Sequence, residues 1–188
     1  MKKEVAMLLS IKHIKEVKYP SRLANVVLAQ KPPTFRMCVD YTDLKKACPM
    51  DPFPQPNIDQ LVDGTTGCEI MSFLDAFRGY HQIFMHKDDA EKTAFITLEG
   101  IFCYLVMAFN LKNSGATYTR MVARVFQAVL GRTMEAYVDG TIVKSKQSSS
   151  HVDDPKKCTF GVQGGKFLGY MVSRRGIEAN PEKIQAII

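Results

Sequence analysis

Length, composition and charge limit the kinds of protein that this sequence can form. The chain has 188 residues, of which 46% are apolar and 23% charged, as in a globular protein with one sizeable core, or one domain with an attached lobe. Its net charge of +6 comes from 25 scattered Lys and Arg residues and indicates a broad basic surface that suits phosphate groups. No apolar run is long enough to cross a membrane. The five cysteines include no CxxC pair and are odd in number, so they indicate neither a zinc knuckle nor a closed disulfide framework and favour a reducing, intracellular location.

The first third of the chain predicts a helix, two strands and a proline-rich connection. The spacing of Val5, Leu8 and Ile14 is typical of an amphipathic helix at the N-terminus. Alternating apolar and polar residues on both sides of Pro32-Pro33 predict a pair of strands. Four prolines between residues 49 and 56 exclude a helix or a central strand, so we interpret this segment as a connection between two lobes.

The middle of the chain alternates between helical and strand-like patterns. Asn57 is positioned to cap a short helix, and the next apolar run predicts a buried strand ending at Asp75. A hairpin turning at Glu99-Gly100 follows. Apolar residues at helical spacing then predict a helix over residues 114–130, ended by Gly131.

The stretch MEAYVDGTIV, residues 134–143, predicts a hairpin with its turn at Asp139-Gly140, because both residues tolerate the positive φ of a type I′ turn. On these residues alone, a purely structural hairpin is the favoured interpretation. The order of a strand ending in Asp75, a helix and this hairpin nevertheless predicts an α+β sheet that brings two carboxylates together. Neighbouring carboxylates repel unless a proton or cation lies between them, and a divalent metal is the usual reason for such a pair.

Several motifs in fixed order carry a resemblance to a known family. They are FRMCVDYTDLKKACPMDPFPQPNIDQLVDG, FLDAFRGYHQI, EKTAFIT, MAFNLKNSGATYTRM, YVDG, and KCTFGV followed by GGKFLGYMVS. From about Glu4 onward, the chain resembles the reverse transcriptase domain of plant gypsy-type (Ty3/gypsy) LTR retrotransposon Pol polyproteins. The resemblance implies a fingers-and-palm fold, with a ferredoxin-like palm sheet backed by helices, and DNA synthesis from dNTPs on a primed RNA or DNA template.

The same resemblance implies a division of the chain. Residues 1–56 would contain the N-terminal helix, the fingers strands and the proline-rich connection. Residues 57–188 would form the palm, with a fingers insertion near residues 86–107. We also expect a palm helix to be missing after residue 154, and the family's thumb to begin where the chain ends.

The family's chemistry uses two Mg²⁺ ions held by three aspartates. Asp75 and Asp139 match two of these metal ligands, while Gly140 stands where the third would be. By analogy with the loss of one electrostatic stabiliser, we expect the rate to fall by at least roughly 10²–10³. Lys157 resembles the general acid that protonates the leaving pyrophosphate, although it is also simply one of 25 cations.

Three residues resemble the family's nucleotide-binding groups. Arg36 matches the arginine that grips the triphosphate, and Tyr80 the aromatic ring that lies against the sugar. Phe109 lies in a loop that departs from the family's Pro-Phe-Gly pattern by Ala108 and Asn110. Because Asn tolerates left-handed conformations, we expect this loop to keep its shape. A surface arginine and a half-buried tyrosine are the ordinary structural alternatives.

The last hairpin resembles the one that positions the primer end in this family, with Phe167, Leu168 and Gly169 as the matching residues. Two functional hypotheses follow from the whole pattern. One is a reverse transcriptase with impaired catalysis, whose partners are a template-primer and dNTPs. The other is a catalytically dead retroelement relic that acts at most as a basic nucleic-acid-binding module.

Overall fold

The computed structural model describes residues 2–31, 34–76, 78–138, 140–147, 159–167, 170–173 and 176–179. The chain divides into two units, one comprising Met1–Pro52 with Arg78–Gly115 and the other Phe53–Phe77 with Ala116–Ile188. The divisions therefore follow residues 52, 77 and 115. The sequence predicted a boundary between fingers and palm after residue 56 and a fingers insertion near residues 86–107.

The first unit combines short helices with two antiparallel sheets. Strands β1, β6 and β5 form one sheet in the order β1-β6-β5, and β2 pairs with β3 in a two-stranded ribbon. In chain order the elements are α1 Lys2–Ser10, β1 Ile14–Glu16, β2 Val26–Lys31, β3 Thr34–Val39, α2 Thr42–Ala47, a 3-10 helix Gly79–Gln82, α4 Lys87–Ala90, a second 3-10 helix Glu91–Thr93, β5 Phe95–Thr97 and β6 Gly100–Tyr104. The two predicted strands beside Pro32-Pro33 are thus confirmed.

An aromatic and aliphatic core holds the first unit together. Phe95 and Tyr41 are almost fully buried in it, and the Tyr41 hydroxyl donates a 2.9 Å hydrogen bond to the carbonyl of Thr93. The N-terminal helix was predicted to continue to Ile14, but it ends at Ser10 and Ile14 begins β1. Lys12, at φ 56°, breaks the helix and redirects Ile14 into the core.

The second unit is built on a four-stranded antiparallel sheet in the order β7-β8-β4-β9. Strands β10, β11 and β12 form a separate antiparallel sheet. The elements are α3 Ile58–Asp63, β4 Ile70–Asp75, β7 Met134–Tyr137, β8 Gly140–Ser145, β9 Thr159–Val162, β10 Gly164–Phe167, β11 Tyr170–Ser173 and β12 Gly176–Ala179, together with α5 Ser114–Val125, which leads into this unit.

The core of the second unit joins β4, β8 and β11 through Met71, Phe73, Ile142 and Val172. A side chain at Gly165 would lie 2.5 Å from the Phe73 ring, so the strand can pass this close only with glycine there. Helix α3 begins as predicted, because the Asn57 side chain accepts a 2.9 Å hydrogen bond from the amide of Asp59. Among the described residues, no helix is both long and apolar enough to cross a membrane.

Two hairpin turns lie one residue earlier than the sequence predicted. Thr97 pairs with Gly100, and Tyr137 pairs with Gly140, so each glycine is the first residue of the second strand rather than a turn residue. At the first hairpin, the Thr97 side chain accepts a hydrogen bond from the amide of Glu99 and donates one to the carbonyl of Gly100, which stabilises the earlier turn. At the second hairpin, Val138 takes the positive φ of 51°, an unusual conformation for a β-branched residue.

Helix α5 was predicted to extend to residue 130, but it ends at Val125. Hydrogen bonds from the amides of Phe126 and Leu130 to carbonyls four residues earlier continue beyond it, yet Val125, Phe126 and Val129 are exposed. Tyr118 and Val122 are buried, so only the first half of the apolar pattern is used by the core. Leu130 instead bridges to Met134 at the start of β7, which turns the chain into the hairpin.

Candidate functional site

Asp75 lies at the end of β4, an inner strand of the four-stranded sheet, beside the turn of the β7–β8 hairpin. It is the last residue of β4, is exposed, and stands directly opposite Gly140 in the antiparallel register of β4 and β8. The predicted neighbouring strands are therefore present. Asp139 lies outside the described residues, so the predicted carboxylate pair stays a prediction.

The metal-ligand atoms near Asp75 can be compared with those that the family's pair of metal ions needs. A carboxylate is a suitable ligand for a hard cation such as Mg²⁺, and Asp75 supplies one. The position opposite it, Gly140, has no side chain to donate. No group of three or more His, Cys, Asp or Glu that could hold a metal ion occurs in the part of the chain that the structure describes. Of the two candidate ligands, Asp75 is the one that the structure describes.

A buried ion pair supports the same hairpin from within. The Nζ of Lys144 lies 2.6 Å from Oε1 of Glu135 and also donates a 2.5 Å hydrogen bond to the carbonyl of Gly64. Only 5% of the Lys144 side chain and 10% of the Glu135 side chain are exposed. Neither residue of this pair was predicted from the sequence to be buried. The signal was their shared face with Ile142, which follows from the pairing of Glu135 with Ile142.

Gly64 is part of this arrangement for a steric reason. A Cβ atom there would lie 2.7 Å from Oε1 of Glu135 and 3.2 Å from Nζ of Lys144. The glycine therefore lets the end of α3 approach the ion pair closely enough for its carbonyl to accept a hydrogen bond. Helix end and hairpin are joined by one buried, fully bonded group of charges.

The predicted nucleotide-binding residues of the first unit lie in different settings. The rings of Tyr80 and Phe109 meet edge to face, with centroids 5.0 Å apart, and Phe109 is 56% exposed. Arg36 lies on the exposed part of β3, where its strand partner is Ala29. The structure thus brings Tyr80 and Phe109 together, and the nucleotide role of all three residues stays a prediction.

The loop after Phe109 contains the left-handed residue that the sequence predicted. Asn110 adopts φ 70°, in the left-handed region that asparagine tolerates, and its side chain accepts a hydrogen bond from Lys45. Asn113, which sequence reasoning missed, accepts from the amide of Asp51 at 3.1 Å and donates to the carbonyl of Pro49 at 3.0 Å. These bonds tie the start of the proline-rich connection to the loop.

A pair of histidines extends the ring contacts of Phe109. His81 lies edge-on to Phe109 at 5.7 Å and edge-on to His13 at 5.1 Å. Burial, with added repulsion from His13 and Arg78, lowers the pKa of His81 to about 4. Burial and the nearby Arg78 also lower the pKa of His13. Both imidazoles are therefore neutral at neutral pH.

The remaining predicted site residues lie at the far end of the chain. Phe167 is the last residue of β10 and pairs with Tyr170, the first residue of β11. The predicted hairpin is therefore present around it. Leu168 and Gly169, which separate these two, and Lys157 lie outside the described residues, so their roles stay predictions.

Residues 29–187 match the family model described as reverse transcriptase (RNA-dependent DNA polymerase). The chain therefore belongs to the reverse transcriptase family. Its relatives include the retrovirus-related Pol polyproteins from transposons 297 and gypsy of Drosophila melanogaster, each 29% identical, over 93% and 82% of this chain respectively. The Tf2-7 transposon polyprotein of Schizosaccharomyces pombe is also 29% identical, over 93% of the chain.

The relatives are much longer than this chain. The matched part covers 18% of the transposon 297 polyprotein, 16% of the gypsy polyprotein and 14% of the Tf2-7 polyprotein. The family assignment thus concerns one domain of such proteins.

Solved structures show the same fold. A foamy viral protease-reverse transcriptase in complex with an RNA/DNA hybrid matches with a TM-score of 0.86 and 19% identity, over 100% of this chain and 28% of that one. A complex of the foamy viral protein with double-stranded DNA matches with a TM-score of 0.81 and 18% identity, over 100% of this chain and 43% of that one. The predicted α+β fingers-and-palm fold is confirmed.

Proposed function

We propose that this chain is the fingers-and-palm part of a retroelement reverse transcriptase, which binds primed RNA or DNA and dNTPs and has impaired nucleotidyl transfer. The unit of residues 1–52 and 78–115 would be the fingers, and the other unit the palm. The pairing of Asp75 with Gly140 carries the second half of this proposal. The sequence motifs further favour a plant gypsy-type element as the source.

Binding of nucleic acid is supported by charge and by fold. The chain carries a net charge of +6 from basic residues distributed along it. The foamy viral proteins of the same fold were solved in complex with an RNA/DNA hybrid and with double-stranded DNA. Because such contacts are made mainly to phosphates, binding would depend little on sequence and would weaken steeply with added salt.

Impaired nucleotidyl transfer follows from the metal ligands at the end of β4 and in the adjacent hairpin. Reverse transcriptases normally use divalent metal ions, in this family a pair of Mg²⁺ ions, to neutralise charge during phosphoryl transfer. Asp75 and Asp139 would be the ligands here, and Gly140 contributes no carboxylate. Asp75 would hold a cation at the end of β4, while Arg36, Tyr80 and Phe109 would bind the nucleotide, Lys157 would donate a proton and residues 167–169 would position the primer end.

A second candidate function is nucleic-acid binding without catalysis. The same glycine opposite Asp75 favours it, since a basic surface does not need the third carboxylate to bind phosphates. The two candidates differ in whether Asp75 contributes to a reaction or only to the surface.

Primer extension by the purified chain separates the two candidates. We would measure extension of a labelled primer on RNA and DNA templates, with Mg²⁺ or Mn²⁺, and compare the wild type with Asp75→Asn. We expect any wild-type extension to be slower than in an intact family member by at least roughly 10²–10³ and to be abolished by Asp75→Asn. Salt-sensitive duplex binding without extension above Asp75→Asn would favour the binding module, and failure to bind duplex would contradict both.

A further inference from the structure

Ring contacts in the first unit run from His13 through His81 and Phe109 to Tyr80. The three centroid distances along this path are 5.1, 5.7 and 5.0 Å, and all three contacts are edge to face. Edge-to-face contacts are favourable because the positive edge of one ring meets the negative face of the other. The ring of Phe109 therefore contacts both the ring of His81 and the ring of Tyr80.

The two histidines are unusual occupants of these positions. The Nδ1 atoms of His13 and His81 are both buried and have no hydrogen-bond partner among the described residues. Buried polar atoms are normally bonded, so each exception calls for an explanation. A phenylalanine at either position would supply a ring without leaving a nitrogen unbonded.

Backbone hydrogen bonds connect the segments that carry these rings. The carbonyl of His13 accepts a 2.8 Å hydrogen bond from the amide of Leu105. The amide of Met107, two residues before Phe109, donates a 2.7 Å hydrogen bond to the carbonyl of Ile83, just after the 3-10 helix that carries His81. Since these two hydrogen bonds join the segment just before Phe109 to His13 and to the end of the 3-10 helix that carries His81, a change in the His81 ring has to be taken up by the neighbouring side chains.

The surroundings of His81 oppose a positive charge. His13 and Arg78 both disfavour its protonation, and the nearby Tyr104, whose ring centroid is 6.2 Å away, stays neutral because burial raises its pKa to about 12. The ring of Tyr80 contacts that of Phe109 edge to face. Protonating His81 would thus place a second cation beside Arg78 and push the imidazole away from its neighbours.

We infer that His81, backed by His13, is a positioning residue that holds the Phe109 ring against Tyr80, and that it does so only as the neutral imidazole. In consequence, the orientation of these two rings responds to acid. The relevance to nucleotide binding rests on the proposed function, in which Tyr80 and Phe109 contact the nucleotide. The ring arrangement itself does not depend on that function.

The first test needs no nucleotide. In the full chain with labelled Phe and Tyr rings, nuclear Overhauser effects between Phe109 and Tyr80 would be followed from about pH 7 to about pH 3, a range that includes the pKa of His81 at about 4. We expect the wild type to lose these effects on acidification and His81→Phe to keep them. His86→Asn, which removes an exposed imidazole but retains an N-cap side chain for α4, should behave as the wild type.

Two results of this test would overturn the inference. One is an unchanged contact between Phe109 and Tyr80 in a folded His81→Ala variant. The other is an acid response that persists in His81→Phe. The double variant His13→Phe/His81→Phe removes both titrating imidazoles and keeps both rings, so an acid response that persists there as well is decisive even where His81→Ala does not fold.

The second test measures dTTP binding to the full chain by calorimetric titration. At neutral pH we expect His81→Ala to weaken binding by about tenfold and His81→Phe to change it by less than about twofold, as the loss of a ring contact predicts. Equal affinity in all variants would contradict a positioning role. If the wild type binds no dTTP, the proposed function fails, whereas the ring contacts still decide the inference about His81.

Discussion

The two units of this protein bury polar side chains in opposite ways. In the second unit, Lys144 forms a buried ion pair with Glu135 and also donates a hydrogen bond to the carbonyl of Gly64. In the first unit, His13 and His81 are neutral, and their Nδ1 atoms have no partner among the described residues. A charge needs partners to be buried at all, whereas an imidazole can lower its pKa and remain neutral instead. The arrangement in the first unit therefore responds to acid.

Removing one member of the ion pair should have the largest effect. We expect Lys144→Met to lower the free energy of unfolding by about 3–5 kcal/mol, because Glu135 would be left buried without a counter-charge. The double variant Lys144→Met/Glu135→Leu should lose much less, since apolar groups of similar volume can replace a buried pair. Urea denaturation measures both. Equal losses in the single and double variants would show that the pair stabilises the hairpin by packing alone.

Protonation of the buried histidines in acid should destabilise the folded protein, by less than the loss of Lys144 does. The folded pKa of His81 is about 4 and the unfolded value about 6.5, so the unfolded state binds more protons between them. Stability is therefore complete above about pH 6.5 and is lost as the pH falls towards about 4. Allowing for partial solvent exposure of the ring, we expect a loss of about 2 kcal/mol.

Denaturation across this pH range, with His81→Phe as the control, checks the histidine prediction. The variant should lose the part of the pH dependence that His81 causes, while His13, whose pKa is also lowered, retains its own part. An identical pH dependence in the two proteins would mean that His81 does not titrate in this range.

A carboxylate opposite Asp75 should have the smallest effect on stability and the clearest dependence on metal. In Gly140→Asp, two like charges would face each other across β4 and β8, at a cost of about 0.2–1 kcal/mol in the absence of a divalent ion. Mn²⁺ should remove that cost and bind more tightly than to the wild type, as seen by thermal denaturation and by electron paramagnetic resonance. Gly140→Asn, which adds a side chain without the charge, is the matched control. If Mn²⁺ stabilises both variants equally, the position opposite Asp75 is not a metal-binding position.

Local chemistry made several features predictable from sequence. The Asn57 cap depends on a hydrogen bond from an amide two residues away, and the strand ending at Asp75 depends on a run of mostly apolar residues. The left-handed conformation of Asn110 is likewise a property of that residue type. The predicted reverse transcriptase family is confirmed by the family model that matches residues 29–187.

Features that depend on distant residues were predicted less well. The turn at the β7–β8 hairpin was placed on Asp139-Gly140, although the pairing of Gly140 with both Tyr137 and Asp75 makes it a strand residue. The glycine could serve in a turn or in a strand, and β4 decides between them. Helix α5 ends at Val125 rather than at residue 130, the end that the apolar pattern predicted, because the residues after Val125 are not packed in a core.

By itself, the sequence determined the family, the order of most elements and the position of Asp75 at the end of a strand. Only the tertiary structure decided that Glu135 and Lys144 are buried and that His13, His81 and Phe109 share one group of rings. The physical reason is the same in both cases. Propensity, capping and motif order act between neighbours in the chain, whereas burial, and with it the pKa of a histidine, depends on side chains that only folding brings together.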